Sequence, residues 1–162
     1  MQAFLILKLL VLLFAANGAP IIAKRVCGGR LSRALDGGIA FIDGQPLFGS
    51  SKTIRGVVAA IIVTAFLAPL VGLSVMVGAT VGAVAMAGDL LSSFAKRRLR
   101  LVAGSKALGL DQIPESLLPL LVCRNALSLT AVDIFVCVTA FLVGEILLSR
   151  VLYRLHVRDR PY

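Results

Sequence analysis

Residues 56–88 read GVVAAIIVTAFLAPLVGLSVMVGATVGAVAMAG, a run without one ionisable side chain. At 1.5 Å per residue it is too long for one membrane crossing. It makes two only if both sit at the short end of the roughly 17 to 25 residues a spanning helix needs. Residues 69–74, opening on Pro69, are the natural turn between them. The rest of the chain agrees: 59% of its 162 residues are hydrophobic, 15% are charged, and mean hydropathy is +0.97. That balance excludes an ordinary soluble domain and predicts a single all-α polytopic membrane domain spanning 1–162.

Outward from this pair, residues 1–23 are apolar apart from Lys8, whose ammonium can snorkel to the nearer surface, and they predict a first helix. A cleaved signal peptide is the rival. It would place Lys24, Arg25, Arg30 and Arg33 outside, against the rule that Lys and Arg stay in the cytoplasm. Residues 57–70 and 74–87 form the helical pair, with Gly78 and Gly82 spaced for close helix approach. Residues 116–129 are a short apolar run holding Pro119 and Arg124, and 130–155 make the last span. About five transmembrane helices with the amino terminus outside put two polar segments, 24–56 and 89–115, on the cytoplasmic face of a cell membrane. The tail bearing Arg150, Arg154, Arg158 and Arg160 joins them there. Arg124 would cost about 2.5–3.5 kcal/mol at mid-bilayer, so a re-entrant fourth segment, leaving four crossings, is the alternative.

The net charge of +9 flanks apolar spans. Anionic lipid headgroups and nucleotide phosphates are therefore the expected partners, and nucleic acid is not. Cys27, Cys123 and Cys137 are odd in number and lack C-x-x-C spacing, so they read as small apolar fillers. His156, alone in the basic tail, reads as solvated.

The chemistry concentrates in the two polar segments. In GDLLSSFAKRRLR, residues 88–100, Asp89, Ser93, Lys96 and Arg100 recur on one helical face with Ser92 beside them. Asp89 suits Mg²⁺, which takes one or two carboxylates plus substrate phosphates, and Lys96, Arg97 and Arg98 suit phosphoryl oxygens. A basic stop signal would explain the cations but not a carboxylate at the end of an uncharged span. In DGGIAFIDGQPLFGSSKTIRG, residues 36–56, Gly44 and Gly49 have Walker A spacing, but Ser50 and Ser51 intervene before Lys52-Thr53. No βαβ unit is available either, so a P-loop is rejected. The glycines Gly37, Gly38, Gly44 and Gly49 can still bring backbone N–H groups to an anion. Ser50, Ser51, Lys52, Thr53 and Arg55 offer donors at a helix start. Of the two loop carboxylates, Asp43 is favoured over Asp36 for its nearness to Ser-Ser-Lys-Thr. Asp111 is a helix cap or a ligand, with spacing deciding neither. Glu145 in the last span has no obvious cation; protonation, Arg124, Arg150 and the site all remain open to it.

The order and spacing of four blocks resemble the CTP-dependent lipid-phosphate cytidylyltransferases, in particular the short archaeal CDP-archaeol synthases. The blocks are Ala16-Asn17-x-x-Pro20; Asp43-Gly44 followed by Leu47-x-Gly49-x-x-Lys52-Thr53-x-Arg55-Gly56; Gly88-Asp89-x-x-x-Ser93-Phe94-x-Lys96-Arg97-Arg98; and Leu110-Asp111-Gln112-x-Pro114. Ser93-x-x-Lys96-Arg97 is similar to the motif of the longer phosphatidate cytidylyltransferases. Their Lys-Asp pair is replaced by Val102-Ala103 and their His-Gly-Gly stretch has no counterpart, which favours the ether-lipid form. The resemblance implies that CTP and 2,3-bis-O-(geranylgeranyl)-sn-glycerol 1-phosphate give CDP-archaeol and pyrophosphate with Mg²⁺ on Asp89 and Asp111. It implies catalytic roles for Lys52, Arg55, Lys96 and Arg97, and nucleotide or phosphate contacts from Asn17, Asp43, Gly44, Gly49, Ser50, Ser51, Thr53, Ser93, Arg98 and Gln112. Because the attacking phosphate is already ionised, the reaction needs no strong base. A CTP-dependent polyprenol kinase and a small membrane transporter are the rival readings.

Overall fold

The computed structural model describes residues 2–28, 32–103, 105 and 107–154, the last four as backbone only. Arg30, His156, Arg158, Arg160 and the side chain of Arg154, invoked above, lie outside the described residues. Five helices follow in order: α1 Ala3–Cys27, α2 Ile54–Leu70, α3 Val75–Arg98, α4 Gln112–Val122 and α5 Ala131–Arg154. Among the described residues no strand forms. Isolated bridges pair Ala34 with Thr53 and Ala40 with Pro46. The chain is an all-α polytopic membrane protein in which α1, α3 and α5 are each long and apolar enough to cross a bilayer, and α2 is a shorter apolar helix.

The elements end where their chemistry ends. Thr53 Oγ1 accepts the Gly56 N–H at 3.2 Å and starts α2 three residues earlier than the apolar pattern suggested. Ser74 Oγ caps α3 through the Val77 N–H. Pro69 lies inside the last turn of α2 rather than in the turn, which is confined to residues 71–74. As expected, α3 continues past Asp89 without a break. It stops at Arg98, so Arg100, with φ 55°, leaves the face predicted for it.

Small residues decide how the helices approach, as they must where lipid removes the hydrophobic drive between them. Cβ atoms on Gly78 and Gly82 would collide with the Thr64 carbonyl and hydroxyl of α2, and one on Gly88 with the Pro114 carbonyl at the start of α4. Leu9, Leu12 and Leu13 of α1, Val81 of α3, Leu120 and Phe141 form the core, joined by Cys123 and Cys137. Phe14 and Phe141 tie α1 to α5 with ring centres 5.1 Å apart.

The fourth segment differs most from its prediction. The helix is shifted to Gln112–Val122, and at 1.5 Å per residue its length is about 17 Å, short of a bilayer core. Residues 123–130 complete the passage. The Gln2 side chain donates to Ser128 O at 2.9 Å and the Gln2 N–H to Asp133 Oδ1 at 2.8 Å, which puts the start of α5 at the end of the bundle where α1 begins. The chain thus runs between the two ends of the bundle five times. Exposed Arg124 sits in the turn that follows α4.

Candidate active site

The two polar segments meet at one end of the bundle. Lys52, on the last residue but one before α2, places its Nζ 2.6 Å from both oxygens of Asp89 on α3. Two helix turns further along α3, Lys96 Nζ lies 2.7 Å from Asp111 Oδ1 and donates to Ser105 O at 2.7 Å. Asp111 Oδ2 accepts the Ala107 N–H at 3.0 Å. The side chain of Asp111 makes no cap to α4, so the cap reading is overturned. Both ion pairs are largely screened from solvent, with side-chain exposures of 21% and 22% for the first and 7% and 16% for the second.

Beside the first pair lies a cavity of about 470 Å³ with a polar rim of Lys24, Ser50, Ser51, Lys52, Arg55 and Asp89. Its wall of Pro20, Val57, Met86 and Leu90 is apolar. A lipid phosphate has the same two characters. Thr53 lines this cavity but spends its hydroxyl on capping α2. Arg55 donates from Nη1 to Gly28 O at 3.0 Å, stitching the end of α1 to the start of α2.

Several residues expected to bind nucleotide have other partners here. The N–H of Gly44 goes to Phe41 O and that of Gly49 to Asp36 Oδ2, and Gly37 and Gly38 likewise bond within the loop. These glycines shape the loop through φ values of +75° and +88° at Gly44 and Gly49 and do not present N–H groups to a common anion. Asp43 is paired with Arg98 Nε at 3.0 Å. Arg98 is wedged between the rings of Phe41 and Phe94, and it donates to Pro46 O at 2.8 Å. Buried Gln112 accepts the Gly109 N–H, ordering the turn before α4. Ser93 and Arg97 are buried, and Arg97 donates from Nη2 to Val102 O at 2.8 Å.

Sequence reasoning missed Glu115, Lys24 and the role of Asp36. Glu115 is 4% exposed, accepts from Asn17 Nδ2 at 3.4 Å and lies within electrostatic reach of Asp89, Glu145, Lys52 and Asp111. Its signal was present: an acid four residues after Asp111 shares that residue's helical face. The same reach places Glu145 near Glu115. Asp36, not Asp43, is the buried loop carboxylate, accepting N–H groups from Gly38, Phe48 and Gly49 at 3.0, 3.1 and 2.8 Å.

A family model described as CarS-like: CDP-archaeol synthase matches residues 2–162. The chain belongs to this family. Among curated CDP-archaeol synthases, that of Sulfurisphaera tokodaii is 32% identical over 155 residues, covering 92% of this chain and 85% of the relative. That of Saccharolobus islandicus strain L.S.2.15 is 29% identical over 181 residues, covering 98% and 96%. A solved structure described as an intramembrane enzyme for archaeal membrane lipids biosynthesis superposes with a TM-score of 0.72 at 29% identity, covering 88% of this chain and 93% of that one. Within the CDP-archaeol synthase family frame, the Lys52–Asp89 and Lys96–Asp111 contacts unite the second, third and fourth sequence blocks. The Asn17–Glu115 bond brings in the first.

Proposed function

We propose that this family member is the CTP-dependent enzyme that joins cytidylate to an isoprenoid ether-lipid phosphate, giving CDP-archaeol and pyrophosphate. The observation that carries the reading is the Lys52–Asp89 contact. It draws a glycine-rich loop and a membrane helix, 37 residues apart in sequence, into one polar cluster beside an amphipathic cavity. An oxygen of the lipid phosphate attacks the α-phosphorus of CTP; the new P–O bond forms as the bond to the β-phosphate bridge breaks, and pyrophosphate leaves with those electrons. Lys52, Arg55, Lys96 and Arg97 neutralise the charge that builds on the phosphoryl oxygens, and the cavity holds the two phosphates in line. Ser50, Ser51 and Asn17 supply neutral donors around them.

Mg²⁺ suits the donor set. Among the described residues no three His, Cys, Asp or Glu side chains group to enclose an ion, but Mg²⁺ usually takes one or two carboxylates and fills its shell with water and substrate oxygens. Asp89 and Asp111, each already holding an ammonium within 2.7 Å, would be those carboxylates. Bound there, the ion would offset triphosphate charge. The cations Lys24, Arg25, Arg33, Lys52, Arg55, Lys96, Arg97 and Arg98 all lie toward the site end, which supports a cytoplasmic site and an outer amino terminus.

The reading is tested with purified protein in lipid vesicles, supplied with ether-lipid phosphate and CTP labelled at the α- or the γ-phosphorus. Label enters lipid from the α position only; transfer from γ would instead make the protein a kinase. Asp89→Asn and Asp111→Asn each lower turnover by about a hundredfold or more. Chelation abolishes activity and Mg²⁺ restores it; full turnover in chelator removes the metal from the proposal.

A further inference from the structure

The tip of the first polar segment carries apolar side chains that neither the bundle nor the candidate active site uses. Phe41 N–H bonds Gln45 O at 2.8 Å, Gly44 N–H bonds Phe41 O at 2.9 Å and Leu47 N–H bonds Ile39 O at 3.1 Å, so residues 39–47 fold into a tight hairpin. On it Ile42 is 95% and Ile39 62% exposed. Leaving such side chains in water forgoes the gain of removing their apolar surface from it.

The hairpin is fixed in place. Phe41 packs edge-on against Phe94 with ring centres 5.4 Å apart, and Arg98 bonds its far arm at Gln45 O and Pro46 O. Phe94 and Arg98 continue a stripe of α3 that runs through Ala83, Ala87 and Leu91, all exposed on the outside of the bundle. That stripe is the face α3 turns to lipid. Asp89 is the first charge after the uncharged run, so the hydrocarbon edge falls near Leu91. At 1.5 Å per residue, Phe94 then stands about 4.5 Å beyond that edge, within a headgroup layer of about 5–7.5 Å, and Arg98 about 10.5 Å beyond it, on the aqueous side of that layer. The hairpin therefore docks on the lipid-facing side of the molecule, at headgroup depth, with two isoleucines projecting.

We infer that residues 39–42 are an interfacial anchor, their isoleucines entering the boundary between headgroups and hydrocarbon beside α3. A second copy of the chain is the other occupant to consider. Stable protein interfaces bury about 800 Å² per partner, far more than a hairpin tip offers. Continuity with the lipid-facing stripe favours the bilayer. The same loop ends in Gly49–Thr53, so the anchor also ties the loop that carries Lys52 to the membrane surface. The inference needs only the membrane fold and is independent of the nucleotidyl-transfer reading.

The chain contains no tryptophan, so Ile42→Trp is a clean reporter. The variant is reconstituted into phosphatidylcholine–phosphatidylglycerol vesicles with or without lipid brominated near the headgroup. Expected are a blue-shifted emission, quenching by bromolipid approaching that of a Phe66→Trp control on the outer face of α2, and little quenching by aqueous iodide. Water-like emission with strong iodide and no bromolipid quenching overturns the anchor. So does loss of both kinds of quenching together with dimers cross-linked through Ile42→Cys that the parent does not form. Ile39→Trp, read the same way, replaces Ile42→Trp should the latter fail to fold.

Discussion

Asp36 and Asp43 are the same carboxylate in the same loop, and the fold gives them different duties. Burial alone would raise the Asp36 carboxyl, but the N–H bonds from Gly38, Gly49 and Phe48 outweigh it and hold the group below its ordinary 3.8. A lowered value means that Asp36 contributes loop stability in full above about pH 4 and loses it as pH falls through the lowered value. In Asp36→Asn the amide cannot accept from all three donors. At pH 7 the loop should loosen by about 1–3 kcal/mol, seen as faster amide exchange at Phe48 and Gly49, and the gap to the parent should close on acidification. A gap that stays constant down to pH 3 would contradict this account. Nearness in sequence to Lys52 favoured Asp43, because side-chain burial in an irregular loop leaves no periodic trace. At Asp89 the residue-level signal was legible, since a lone charge ending an apolar span demands a partner.

At the scale of helices, glycine positions set the spacing on which the ion pairs depend. Gly88 admits the Pro114 carbonyl and lies under Glu115. An added methyl there pushes α4 off α3 and moves Asp111 away from Lys96. Gly88→Ala should therefore lose both thermal stability and most turnover. Gly18 in α1 faces open space, and Gly18→Ala should gain about 0.5–1 kcal/mol from helix propensity with activity retained. Thermal unfolding in detergent alongside the labelled-CTP assay checks the contrast; equal behaviour of the two variants would sink it. The helices themselves were readable from apolar length. The fourth was not, because its 11 residues carry polar Gln112, Glu115 and Ser116 inward, where apolar patterning predicts none.

Across the whole molecule, the two ends are held by different means. At the far end Asp133, 1% exposed, accepts the Gln2 N–H and, through its other oxygen, the Thr130 hydroxyl at 2.6 Å, locking α1 to α5. Asp133→Ala should lower Tm while leaving KM for CTP unchanged, since the cavity lies at the opposite end. A large KM shift without loss of Tm would show the ends to be coupled. The sequence by itself determined the membrane class, the helices longer than a bilayer needs and the residue types of the reaction, because insertion of an apolar helix depends on composition within a short window. Tertiary structure alone decided that Lys52 meets Asp89, that Asn17 meets Glu115 across 98 residues, and that Arg98 pairs with Asp43 and stacks on Phe41 and Phe94. Those pairings follow from how closely Gly78, Gly82 and Gly88 let neighbouring helices approach, a lateral contact that no local pattern encodes.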